Sequence, residues 1–128
     1  MGIRLVIVDD APFIREVLRH TFQNTEIEIV GEAADGEEAI DVVTRLRPQV
    51  VLMDIVMPKK SGIEATRAIN KAIPDIKIVA CSTVDQNSMI MRALEAGCCN
   101  YVTKPFRAED VINAVRSAAI GKAKEAGT

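Results

Sequence analysis

The chain has 128 residues, of which 48% are hydrophobic and 27% charged, with a formal net charge of −2; these values suit one folded domain and exclude a disordered segment. That charge gives no general pull toward nucleic acid or anionic membrane, and aromatics at 3% with no Trp leave little on which single-stranded bases could stack. The three cysteines, Cys81, Cys98 and Cys99, have neither the even count of a disulfide framework nor the CxxC spacing of a zinc site.

Strand and helix patterns alternate along the chain. Ile3 to Val8 is an apolar run broken only at Arg4, as expected of a strand buried on both faces. It ends on Asp9-Asp10. Pro12 stands where a first helical turn tolerates proline, with Asp10 as the expected cap. Ile14, Val17, Leu18, Thr21 and Phe22 then form a helical stripe. "EIEIVGEA", Glu26 to Ala33, alternates charge with Ile and reads as a second strand near a sheet edge. "DGEEAIDVVTRL" opens with a turn dipeptide and places Ala39, Ile40, Val43 and Leu46 on one helical face.

Val50 to Asp54, "VVLMD", is a third buried strand, again ending in an acid. Ser61 with Glu64 forms a capping-box pattern for a helix through about Ala72. Ile76 to Ser82 reads as a fourth strand. A helix from about Asn87 to Ala96 stops at Gly97, the usual C-terminal glycine position. "CNYVT" is a short fifth strand, broken by Lys104-Pro105, and a last helix covers Ala108 to Ala119. Residues 1–120 are therefore expected to form one domain, and 121–128 a solvated tail. The apolar runs are strand-sized and the start lacks a signal peptide's long apolar stretch, so a cytoplasmic protein with no membrane association is expected.

Five strand-helix units of this length imply an α/β fold, a doubly wound five-stranded parallel sheet with helices on both faces. Ligands of such sheets bind outside the carboxyl ends of the strands, near the point where strand order reverses. In a flavodoxin-like order, 2-1-3-4-5, the ends of strands one, three, four and five would bring together Asp9, Asp10, Asp54, Ser82, Thr83, Thr103 and Lys104. Three carboxylates at one mouth repel unless a cation sits among them, and hard oxygen ligands suit Mg²⁺. A carboxylate, a hydroxyl and a lysine beside that metal make a phosphoryl-transfer constellation, in which a carboxylate can itself be the nucleophile.

The segments "VDDA", "MDIVMPKKSG", "CST" and "YVTKPF", in this order and spacing, resemble the receiver domain of two-component response regulators. The likeness covers roughly Ile3 to Ala119, and "VDDAPFIR" and "VACS" look most similar to single-domain chemotaxis regulators of the CheY type. The resemblance implies that Asp54 is the phosphoacceptor. It implies that Asp10, Asp54 and the backbone carbonyl of Val56 ligate Mg²⁺, with Asp9 acting through water. Ser82 would hydrogen-bond the phosphoryl group and Lys104 would pair with it, with Lys104-Pro105 a cis peptide. Tyr101 would turn inward as Ser82 moves, and the fourth helix, fifth strand and fifth helix would form the output face.

The implied partners are a sensor histidine kinase as phosphodonor, an output protein, first of all one of the chemotaxis and flagellar-motor apparatus, and a phosphatase. The protein would be a phosphoacceptor switch that assists its own phosphorylation and dephosphorylation, and not an enzyme that turns over a substrate. A second reading is a receiver working in another phosphorelay, such as one controlling a DNA-binding regulator, although no basic recognition helix stands out. Two departures from the family pattern matter. Thr83 replaces the usual small residue and could crowd the switch. Val56 and Val84, each two residues past a site residue, offer no group to orient a hydrolytic water, so slow self-dephosphorylation is expected.

Two other classes fit less well. A flavin- or nucleotide-binding module wants open backbone N–H groups in the first loop, where "VDDAPF" supplies anions and a proline. An aspartyl-phosphate hydrolase wants a second acid two residues after the nucleophile, and position 56 is Val.

Overall fold

Buried strands and amphipathic helices alternate five times in the computed structural model, which describes residues 2–57, 59–83 and 87–121. The elements are β1 (Ile3–Val8), α1 (Pro12–Thr21), β2 (Ile27–Ala33), α2 (Gly36–Leu46), β3 (Val50–Asp54), α3 (Gly62–Ala72), β4 (Lys77–Thr83), α4 (Asn87–Ala96), β5 (Asn100–Lys104) and α5 (Ala108–Ala119). The strands pair in parallel in the order β2-β1-β3-β4-β5. This is the doubly wound sheet that the alternation predicts, with its reversal point between β1 and β3.

The apolar runs explain the layering. Along β1 and β3 successive side chains point to opposite faces, and both faces are covered. Val6, Val8, Val51 and Met53 pack with Ala39, Val42 and Val43 of α2, Ile63, Ala65 and Ile69 of α3, and Ala93 and Ala96 of α4. Leu5, Ile7, Val50 and Leu52 pack on the other face with Leu18 of α1 and Val111, Ala114, Val115 and Ala118 of α5. Each fully buried Val, Leu, Ile or Met among these stabilises the fold by roughly 1.5–3 kcal/mol. Edge strand β2 keeps Glu28 exposed and Glu32 half-buried, as its mixed pattern predicts.

Helix ends follow the local chemistry. At α3 the Ser61 hydroxyl accepts from the Glu64 N–H while the Glu64 carboxylate accepts from the Ser61 N–H, completing the capping box. Asp35 caps α2 by accepting from the Glu38 N–H. Gly97 ends α4 at φ 125°, a conformation that a Cβ disfavours.

The start of α1 departs from expectation. Its N-cap is Ala11 with no side-chain cap, not Asp10. The Asp9 carboxylate instead accepts the Ala11 N–H at 2.9 Å, which leaves Asp10 exposed at the mouth. Proline at N1 has no N–H, which removes one of the donors left unpaired in the first turn.

Strand boundaries shift by one residue where pairing overrides apolarity. β2, β4 and β5 start at Ile27, Lys77 and Asn100, and β4 and β5 end at Thr83 and Lys104, paired with each other. Val42, absent from the expected α2 face, joins the core, while Ile40 and Leu46 are partly buried against it. Cys81 and Cys98 are buried, Cys99 is half-buried, and all three are free thiols. Of the expected tail, residues 121–128, all but Gly121 lie outside the described residues. No helix among the described residues is long and apolar enough to cross a membrane.

Candidate functional site

The parallel sheet sends the carboxyl ends of all five strands to one edge, and the polar residues collect there. Asp9 follows β1 directly. Its N–H donates to the Ala33 carbonyl at 3.0 Å, which continues the pairing with β2 one step past the strand. Its side chain is buried, with Oδ1 taken by the Ala11 N–H and Oδ2 by Lys104 Nζ at 2.7 Å. Asp54 is the last residue of β3 and only 5% exposed. Its Oδ1 accepts the Val56 N–H at 3.3 Å, and its Oδ2 lies 3.4 Å from Lys104 Nζ. Carboxylate oxygens of Asp9, Asp10 and Asp54 lie within 4.8 Å of one another.

β4 and β5 supply the rest. Asp54 pairs with Cys81, so Ser82 stands one residue beyond that pairing, and Thr83 pairs with Lys104 at the rim. Among the described residues, Ser82 Oγ is buried without a hydrogen-bond partner. A buried hydroxyl left unpaired is costly, and the observation points to a polar group arriving from outside. The Lys104-Pro105 peptide is cis. Tyr101 is half-buried and packs against the cluster under α2, α3 and α4.

Charge in this mouth does not balance. Among the described residues three carboxylates face one ammonium, and unit charges about 4 Å apart still interact by roughly 4 kcal/mol at a protein site's effective dielectric. Burial, and after it the Asp9 charge, push the Asp54 carboxyl up to about 6 against the opposing pull of Lys104 and the Val56 N–H. Burial also works against the Lys104 ammonium, but the Asp9 hydrogen bond and the Asp54 and Asp9 charges outweigh it and leave its pKa raised. Lys104 is therefore a cation at neutral pH. Burial holds the nearby Cys81 sulfur as a thiol.

The donor set fits a divalent cation of the magnesium type: hard oxygens only, one carboxylate exposed and two buried, with excess negative charge. The structure thus brings together Asp9, Asp10, Asp54, Ser82 and Lys104, as the strand-end rule predicts. Val56 sits at the rim with 47% of its surface exposed, and Val84 lies outside the described residues. The sequence pattern did not single out Arg15 and Glu32. Arg15 donates from α1 to the Asp9 carbonyl oxygen, and Glu32 of β2 accepts from Arg15. The only prior sign was a long cation a turn into the helix that follows the paired acids.

Comparison with known proteins agrees with this geometry. Residues 5–116 match the response regulator receiver domain. The chemotaxis protein CheY of Thermotoga maritima is 40% identical over 115 residues, covering 90% of this chain and 96% of that protein. The uncharacterized transcriptional regulatory protein YxjL of Bacillus subtilis is 38% identical over 122 residues, but this chain, 94% covered, spans only 56% of it. Among solved structures, a LuxR-family two-component response regulator from Aurantimonas sp. superposes with a TM-score of 0.90 at 30% identity, covering 99% of this chain and 91% of that one. Over nearly its whole length, in sequence and in topology, the chain belongs to the family of response regulator receiver domains.

Proposed function

We propose that the protein is a phosphorylatable switch that takes a phosphoryl group from a sensor histidine kinase onto Asp54. The observation that carries this reading is the convergence of a buried nucleophilic carboxylate, a lysine shared by two acids and an unpaired buried hydroxyl at one mouth. An Asp54 carboxylate oxygen attacks phosphorus, the phosphorus–nitrogen bond of the donor phosphohistidine breaks, and the imidazole leaves with a proton from solvent. Ser82 Oγ donates to a phosphoryl oxygen, and Lys104 Nζ swings from Asp9 to pair with the new charge. Asp10, Asp54 and the Val56 carbonyl would hold Mg²⁺, with Asp9 acting through water. The ion would neutralise charge on the transferring group.

The added phosphoryl group carries roughly −1.5 to −2 charge. Drawn toward it, Ser82 vacates space beside Thr83, and Tyr101 turns inward. This alters the face made by α4, β5 and α5, where an output partner binds. Exposed Met91 on α4 suits such an adaptable surface. The likeness to a chemotaxis protein over nearly the whole of both chains favours a cytoplasmic chemotaxis or flagellar-motor output. A receiver controlling a DNA-binding regulator is the second reading, favoured by the likeness to part of a longer transcriptional regulator. In either case the chain assists its own phosphoryl transfer and dephosphorylation, the latter with a phosphatase as a further partner.

The test is intact mass after incubation with Mg²⁺ and acetyl phosphate, for the wild type beside Asp54→Asn. One phosphoryl adduct in the wild type alone, lost in hydroxylamine, is the expected result. An adduct that survives in Asp54→Asn would overturn the assignment.

A further inference from the structure

The carbonyl oxygen of Asp9 belongs to the peptide unit that joins Asp9 to Asp10, and it lies just past the last backbone pairing of β1. Arg15 reaches back from the first turns of α1 and donates Nη1–H to that oxygen. Its Nε–H donates to Glu32 Oε1 at 3.1 Å, so the guanidinium bridges the acid-bearing loop to the end of edge strand β2. Glu32 is held in turn by Arg19, whose Nη1 donates to both carboxylate oxygens and, among the described residues, to no atom of Asp9. The Arg15 side chain is 19% exposed and that of Glu32 28%, so the bridge is largely shielded from water.

We propose that Arg15 is a positioning residue for the metal anchor: by gripping the Asp9–Asp10 peptide plane, with Glu32 locking its guanidinium, it fixes the directions of both carboxylates. A peptide plane is rigid, so one hydrogen bond to its oxygen restrains the bonds on either side, and with them two side chains that would otherwise swing apart under mutual repulsion. Groups that orient metal ligands from behind commonly set affinity. Arg suits the place because its planar fork can serve a carbonyl and a carboxylate at once, which a lysine ammonium on one flexible stem cannot do equally well. The inference rests on the proposal that these acids hold Mg²⁺.

Positioning and plain electrostatics predict opposite signs. If Arg15 acted only through its charge, removing a cation near three acids would tighten Mg²⁺ binding. If it positions the acids, removal loosens binding. The experiment is calorimetric titration of the unphosphorylated protein with MgCl₂ for the wild type, Arg15→Ala, Arg15→Lys and Arg19→Ala, with urea midpoints recorded alongside. Positioning predicts a roughly tenfold weaker dissociation constant for Arg15→Ala, a smaller loss for Arg15→Lys and no change for Arg19→Ala. Should Arg15→Ala not fold, the charge-keeping Arg15→Lys decides, since binding equal to wild type would refute a role that depends on the fork. Equal or tighter binding by Arg15→Ala, or an equal loss in Arg19→Ala, would overturn the inference while leaving the metal site standing. A wild type that takes up no Mg²⁺ would overturn both.

Discussion

Lys104 Nζ lies closer to Asp9 Oδ2, at 2.7 Å, than to Asp54 Oδ2, at 3.4 Å. The lysine is thus held mainly by Asp9, and the Asp54 carboxylate is only loosely compensated. Lys104→Met should remove the ammonium that pairs with Asp9 and Asp54 in a cluster of three acids. Without Mg²⁺ at pH 7 we expect a loss of roughly 1–3 kcal/mol of stability, limited by protonation of Asp54. Mg²⁺ affinity should rise, since the ion no longer competes with a resident cation. Urea unfolding with and without Mg²⁺, beside a magnesium titration, checks both signs. A variant as stable as wild type without metal would contradict the reading.

Asp54 gives the fold an unusual pH dependence. Its ordinary value is 3.8 and its folded value about 6, raised by burial first and by Asp9 second. Between those values the native state binds more protons than the unfolded chain, so this group's contribution is fully present below about pH 4 and is lost as pH rises through about 6. Asp54→Asn cannot ionise. Its stability relative to wild type should therefore grow across that window and level off near pH 7 at roughly 3 kcal/mol, taking 1.4 kcal/mol per pKa unit. Saturating Mg²⁺ should erase most of the difference by favouring the wild-type carboxylate. Urea midpoints of both proteins from pH 4 to 8 provide the check, and a constant difference would refute it.

Ser82 offers a clean separation of fold from function. Its buried hydroxyl has no partner to lose among the described residues, so Ser82→Ala should be as stable as wild type or up to about 1 kcal/mol more stable. Phosphorylation by acetyl phosphate at saturating Mg²⁺ should slow by at least about tenfold, because one donor to the transferring group is gone. Ser82→Thr, which keeps the hydroxyl, should retain the rate. Loss of stability in Ser82→Ala would mean that the hydroxyl already has a structural partner.

Val56 is half-exposed beside Asp54, touching it through a backbone N–H while its side chain stays apolar. No side-chain group there can orient a water for attack on the acyl phosphate. Val56→Asn should shorten the phosphoryl lifetime by on the order of tenfold, below what a full general base supplies. Adding Val84→Glu should shorten it further. The decay of the phosphorylated mass with time measures the lifetime, and an unchanged lifetime in the double variant would refute the expectation of slow self-dephosphorylation.

The sheet was legible because its signals are periodic and redundant. Val50 to Met53 can only be buried on both faces, and Ser61 with Glu64 marks a helix start by chemistry that needs no tertiary context. Strand ends carrying Asp9, Asp54 and Lys104 then converge once the strand order is known, because parallel strands share one carboxyl edge. What escaped was set by longer-range or competing contacts. Asp10 looked like a helix cap, but Asp9 takes the Ala11 N–H. β5 runs one residue past its apolar stretch because Lys104 pairs with Thr83. Arg15 bonds to a main-chain oxygen, and a backbone acceptor has no signature in the residue alphabet.

Gly62 joins fold to site most directly. A Cβ at this position would lie 2.0 Å from the Asp54 carbonyl oxygen and 2.7 Å from the Ile55 Cα, both backbone atoms that cannot rotate away. The start of α3 therefore seats directly on the peptide that joins Asp54 to Ile55. Gly62→Ala should cost about 3 kcal/mol or more, at the upper end for overpacking. The relief must come from moving either α3 or Asp54, so the folded variant should also phosphorylate more slowly at saturating Mg²⁺. Gly121→Ala is the control, since its Cβ would meet nothing within 4 Å and only its φ of 80° is unfavourable. It should lose about 1 kcal/mol and phosphorylate at the wild-type rate. A Gly62→Ala protein with wild-type stability would show that the contact between α3 and the Asp54 backbone is looser than these distances require.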